Sequence, residues 1–184
     1  IVGANGPARL IGKALQQLGS RVLLTDSNWE NIRSARMENL PTYFGNPASE
    51  HAESHLDLVG LGYLLALSPS GELNTLAAVR FHHEFGPQRL FALTNGQESR
   101  RTDKHRASHE YRGQALGNPA LTYGQLASEL SQGAELYSTN LTDNFTWEDY
   151  QNLHGKRVTL LFARDGNGWV HVVTPDSELK PGTG

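Results

Sequence analysis

The sequence predicts an α/β protein: a mostly parallel sheet with flanking helices, followed by a small C-terminal α+β extension that carries a β-hairpin. Three observations predict it. From residue 1 to residue 95, short apolar runs alternate with stretches of helical periodicity, as parallel strands joined by crossover helices require. At 96–120 that rhythm gives way to a polar connector rich in Arg and Gly. In the remaining segment, 121–184, two apolar runs flank Asp165-Gly166-Asn167-Gly168, which is hairpin chemistry.

Each element has its own signal. Ile1-Val2 reads as the end of a first strand whose beginning lies before the chain. Leu10, Ile11, Ala14, Leu15 and Leu18 repeat at helical spacing, with Pro7 suited to the first turn and Gly19 to the stop. Arg21 to Thr25 is a second strand ending at Asp26, after which Ser27 can cap a helix that runs to Glu38 and stops at Asn39. Thr42 to Phe44 is a third strand, and Ser49 can cap a helix presenting Ala52, His55, Leu56 and Val59. Tyr63 to Leu67 reads as a buried strand. Leu73, Leu76, Ala77, Phe81 and Phe85 mark the inner face of the next helix, which Gly86-Pro87 breaks before a strand at Arg89 to Thr94. Further on, a helix is expected at Leu121 to Gln132, a strand at Ala134 to Thr139 and a short helix at Trp147 to Leu153. The hairpin strands are expected at Lys156 to Ala163 and Trp169 to Thr174.

Composition narrows the function classes. Of 184 residues, 38% are hydrophobic and 19% charged, as in a folded globular chain. The net charge of −3 creates no field that would gather nucleic acid. With no cysteine there is neither a disulfide framework nor a thiolate nucleophile. The longest nearly apolar run, Leu58 to Leu67, is about half of the roughly 20 residues that span a bilayer.

A nucleotide crevice in such a sheet needs a glycine-bearing turn at a helix N-terminus for phosphate, and an acid after the second strand for ribose. Gly3-Ala4-Asn5-Gly6-Pro7-Ala8 supplies the turn, with Gly3 and Ala8 in the outer positions of the G-x-G-x-x-G/A pattern and Asn5 in the middle one. Gly6 and the tolerance of Asn for left-handed backbone can restore part of the turn. Asp26 stands near the expected offset for the ribose acid, and no Arg follows it at once, which disfavours a 2′-phosphate. The plain alternatives are a glycine kept for a tight turn and an acid kept for a helix start.

The stretches IVGANGPARLIGKAL, RVLLTD, YFGNPASE, LLALSPSGELNTLAAVRFHHEFG and RLFALT, taken with their spacing, resemble the Rossmann-type domain that regulates potassium conductance, the TrkA N-terminal domain. GANGPAR and YFGNPASEHAE resemble the version found in the cytosolic tails of bacterial sodium or potassium to proton antiporters. The resemblance covers residues 1–95 and carries nothing onto 121–184. It implies that a nucleotide, NAD(H) or an adenine nucleotide (AMP, ADP or ATP), meets Gly3, Asn5, Gly6, Pro7, Ala8 and Arg9. It further implies that the ribose meets Asp26 beside Ser27 and Asn28, with Ser68 and Pro69 lining the crevice. The family's Gly-Asp-Ala stretch falls on Gly45, Asn46 and Pro47, where the acid has become an amide. By the same resemblance the chain is a homodimeric, non-catalytic sensor at the cytoplasmic face of the bacterial inner membrane, acting on a transmembrane transporter domain of the same polypeptide, with apolar spans expected before Ile1.

Other features compete less well. His51 and His55 stand one turn apart, a spacing that can hold a metal, but a solvated helix face explains them better. His105 and His109 lie among Arg100, Arg101, Lys104, Arg106 and Arg112, whose charges oppose a metal ion. One of His82 and His83 should face solvent and the other the rim of the core. Phe145, Trp147 and Trp169 read as packing residues of a small C-terminal core. The runner-up function, an NAD-dependent oxidoreductase, lacks a recognisable proton donor or acceptor. A scaffold that binds nothing and serves assembly is the third class.

Overall fold

The computed structural model describes residues 1–94 and 113–178. At the centre of its sheet is Val2, which bridges in parallel to Thr25 of β1 (Leu24–Asp26) on one side and to Ala66 of β3 (Leu64–Ala66) on the other. β1 pairs with β2 (Thr42–Phe44), β3 with β4 (Leu90–Ala92), and β4 with β5 (Gln114–Ala115), all in parallel. The resulting order is β2-β1-Val2-β3-β4-β5. With Val2 counted as the first strand position this is the doubly wound order, in which chain direction changes sides between Val2 and β3.

Helices cover both faces. Alternation along a strand sends Leu65 and Leu67 to one face, where they pack with Ile11 and Leu15 of α1 (Gly6–Gln17) and Ile32 of α2 (Trp29–Met37). Leu64 and Ala66 point the other way, against Ala77 and Ala78 of α4 (Gly71–Arg80) and against Phe81. Gly12 lets α1 close onto β1, because a Cβ there would stand 3.1 Å from Leu24 Cδ1 and 3.4 Å from Ile1 Cδ1. The shorter α3 (Glu50–His55) and α5 (His82–Phe85) belong to the crossovers on either side of β3 and α4.

The later segment joins the same core. α6 (Tyr123–Ser131) begins with a reciprocal cap between Thr122 and Gln125, and α7 (Trp147–His154) with one between Thr146 and Asp149. The hairpin β6 (Phe162–Arg164) and β7 (Val170–Val172) is antiparallel, as expected, but its first strand does not begin at Lys156, because Gly155–Arg157 closes a 3-10 turn after α7. Gly117 N–H donates to Val173 O at 2.8 Å, and Asn118 exchanges backbone bonds with Leu160. Leu116, Leu121, Leu126 and Leu161 therefore pack with the leucines of the main sheet.

Several elements differ from the sequence expectation, each for a physical reason. α2 is capped by Asn28 instead of Ser27, because Asp26 Oδ1 accepts the Asn28 N–H at 2.8 Å and holds the chain extended for one residue more. α3 stops at His55, where Leu56 turns extended to bury its side chain with the apolar cluster under α4. Leu76 is 59% exposed while Asn74 is only 4% exposed, because the small Ala77 and Ala78 set which side of α4 meets the sheet. The 96–120 connector contributes β5. Ala134 to Thr139 forms no strand, since only Leu136 turns inward and nothing pairs with it. Trp169 is exposed, and the hairpin has the main core instead of one of its own. The basic cluster with His105 and His109 lies outside the described residues. His83 faces solvent and His82 the rim, as expected. No helix among the described residues is long and apolar enough to cross a membrane.

Leu161→Ala tests the shared core: it should cost about 2–5 kcal/mol and leave a single cooperative urea transition. An early, separate melting of the hairpin would contradict it.

Candidate nucleotide crevice at the switch point

Backbone pairing brings the first turn and the end of β1 together. Gly3 N–H donates to Thr25 O at 2.8 Å, Thr25 N–H to Ile1 O at 2.9 Å, and Leu67 N–H to Val2 O at 2.9 Å. The chain then turns at Gly3, whose φ of 103° suits glycine, and a Cβ there would stand 2.9 Å from Asn5 Nδ2 and 3.2 Å from Ser68 N. So the turn sits directly against the end of β3.

Asn5 fills the middle position of the motif without projecting outward. It is 7% exposed; its Oδ1 accepts the Ala8 N–H at 3.0 Å and its Nδ2 donates to Leu67 O at 2.9 Å. The side chain thus caps α1 and ties it to β3 at once. Pro7 and Ala8 are buried behind it, whereas Gly6 is exposed with no atom within 4 Å of where its Cβ would be. Since Pro7 has no N–H and Ala8 spends its own on Asn5, Gly6 carries the open backbone donor at this helix mouth. Arg9 does not extend toward it: Nη1 donates to Ala4 O at 2.9 Å and Nε to Glu38 Oε1 at 2.8 Å.

Asp26 lies across the turn from Asn5. Its Oδ2 accepts Ala4 N–H and Asn31 Nδ2, both at 2.9 Å, and its Oδ1 accepts Asn28 N–H. A carboxylate offers about four acceptor positions, so roughly one, on Oδ1, is left for an incoming hydroxyl. Ser27 is exposed beside it. Gly45 N–H donates to Asp26 O at 2.9 Å and thereby ties the end of β2 to the end of β1.

The remaining predicted residues divide. Asn46 Oδ1 accepts Ala48 N–H at 2.9 Å, shaping the turn into α3, and Pro47 is buried along an apolar crevice with Leu56, Leu61 and Phe81. Ser68 is clamped, its N–H donating to Asn74 Oδ1 and its carbonyl accepting Asn74 Nδ2, while Pro69 stands exposed next to it. The structure therefore sets Gly3 against Asn5 and Ser68, and joins Asp26, itself bonded to Asn28, to the same turn through Ala4; Gly6 and Ser27 stand exposed beside them in sequence. His51 and His55 stack at 3.9 Å on the exposed face of α3, with Tyr43 OH 2.7 Å from His51 Nδ1.

Sequence reasoning missed Ala4, Asn31 and Asn74. Ala4 acts through its backbone, which no residue type announces. Asn31 lies five positions after Asp26, so the turn that opens α2 carries its amide back to the carboxylate; that spacing was the available signal. Asn74, polar at an inward helical position, was legible as a residue needing a partner.

In three-dimensional comparison the chain is similar to the NAD(P)-binding domain of an exopolyphosphatase-related protein from Archaeoglobus fulgidus, with a TM-score of 0.51 and 17% identity. The match covers 72% of this chain and 92% of that one. This likeness is one of fold, and it agrees with the Rossmann-type strand order. No family model and no curated protein matches the sequence.

Asp26→Asn should destabilise the chain by about 1–3 kcal/mol even without ligand, because the amide nitrogen cannot accept, so that either Asn28 N–H or both Ala4 N–H and Asn31 Nδ2 lose their hydrogen bond to a charged acceptor. Urea denaturation measures it, and an unchanged midpoint would show that the carboxylate does not hold the turn.

Proposed function

We propose that this chain is a nucleotide-sensing regulatory domain, cytosolic, belonging to a monovalent cation to proton antiporter or potassium transport system. The observation that carries the reading is the nearness of two groups at one turn: the exposed Gly6 at the mouth of α1, and the Asp26 carboxylate bound 2.9 Å from the Ala4 N–H of the same turn. A phosphate belongs at the first and a ribose hydroxyl at the second. The similarity of fold to an NAD(P)-binding domain supports the same use, with NAD(H) or an adenine nucleotide as ligand. The transport assignment is supported by the wording of the GANGPAR and YFGNPASEHAE stretches. In this reading the ligand acts by binding one arrangement of a dimer better than another, and needs no catalytic group.

A second reading has a specific observation in its favour. Asp26 already accepts three hydrogen bonds and Asn5 already caps α1, so most of the turn's polar groups are satisfied without a guest. A scaffold that binds nothing would look the same.

Calorimetric titration of the purified chain with NADH, NAD, AMP and ATP separates the two. Saturable binding of at least one of them, near one per chain and without turnover, is the expected result. No heat with any of the four favours the scaffold, and hydride transfer to a metabolite would sink both.

A further inference from the structure

We propose that Trp29 and Phe44 form a base-stacking shelf, so that the ligand is recognised by its purine and not only by ribose and phosphate. The inference rests on the nucleotide reading above and deepens it. Both side chains are large and apolar, yet Trp29 is 48% and Phe44 50% exposed. They meet edge to face, with ring centroids 5.3 Å apart and planes at 76°. The Arg36 guanidinium carbon lies 5.3 Å from the Trp29 ring centroid, and Arg36 Nε is itself fixed by a 2.9 Å bond to Thr42 Oγ1.

Position is what turns an exposed pair into a candidate subsite. Phe44 is the register partner of Asp26, so the two residues end adjacent parallel strands at the same height. Neighbouring strands lie about 5 Å apart, a spacing comparable to that between the ribose hydroxyls and the base of a nucleoside. Trp29 opens α2 directly after Asn28, whose N–H is held by the same Asp26 carboxylate. Ribose acceptor and aromatic surface are thus set against each other by backbone hydrogen bonds and the α2 cap. The chemistry is that of stacking: a flat, polarisable base covers the exposed ring area, while Arg36 holds the indole in place and adds a fixed positive charge beside it. A purine covers more of that area than a pyrimidine does.

The test uses Trp29 as its own reporter. The double variant Trp147→Phe, Trp169→Phe leaves Trp29 as the single tryptophan among the three in the chain. Titrated with AMP, its emission should be quenched in step with binding measured by calorimetry, whereas ribose 5-phosphate should leave it unchanged. In the otherwise wild-type chain, Trp29→Leu and Phe44→Leu should each weaken AMP binding roughly 5- to 100-fold. AMP binding that neither quenches Trp29 nor responds to either substitution overturns the shelf and leaves the nucleotide reading standing. Should AMP, NAD, NADH and ATP all fail to bind the wild-type chain, both fall. If a leucine variant does not fold, the quenching result decides alone.

Discussion

One residue joins the two halves of this sheet. Val2 is hydrogen-bonded through its backbone to β3, while its neighbours Ile1 and Gly3 are bonded to Thr25 of β1. Everything at the candidate site inherits its position from that double pairing, because the turn that follows Val2 has to emerge between two strand ends already fixed. Parallel pairing needs crossover helices, and the helices that start here, α1, α2 and α4, all begin at the same edge of the sheet. The grouping of these strand ends and helix starts is therefore a consequence of topology before any side chain is chosen.

What the side chains then decide is how the crevice is finished. In the usual pattern the middle glycine of the turn lets phosphate approach the backbone. Asn5 solves a different problem, folding inward to satisfy Ala8 and Leu67 and so sealing the junction between α1 and β3. Asp26 does likewise, serving the Ala4 and Asn28 backbone groups and the Asn31 side chain. Part of the polar chemistry that a dinucleotide site would direct at its ligand is spent on the protein's own turn. The open groups are Gly6 at the helix mouth, one acceptor position on Asp26, and the aromatic surface beside it.

Much of the fold was legible in sequence because each element between residues 1 and 95 announces itself locally: a leucine-rich run, a helical period, a Ser or Asn cap. The doubly wound order also follows once those elements are placed. The approach of Asp26 to the first turn was legible through the offset between Gly3 and the acid. The inward fold of Asn5 was not, because it depends on where the Leu67 carbonyl comes to rest, and that is a tertiary fact. Leu76 was misassigned and Asn74 missed for a related reason, since the small Ala77 and Ala78 decide which side of α4 meets the sheet. β5 was hidden as well: two residues, Gln114 and Ala115, are too short to show alternation, and they are strand only because β4 offers them an edge. Trp29 and Phe44 were individually visible, but their adjacency across α2 and β2 was not.

The outermost strand on the Asp26 side, β2, is three residues long, ends at Phe44 and is followed at once by Gly45. So short a rim presents only a few backbone donors and acceptors to a neighbouring chain, far fewer than sustained strand addition demands. Strand addition at this edge of the sheet is therefore disfavoured.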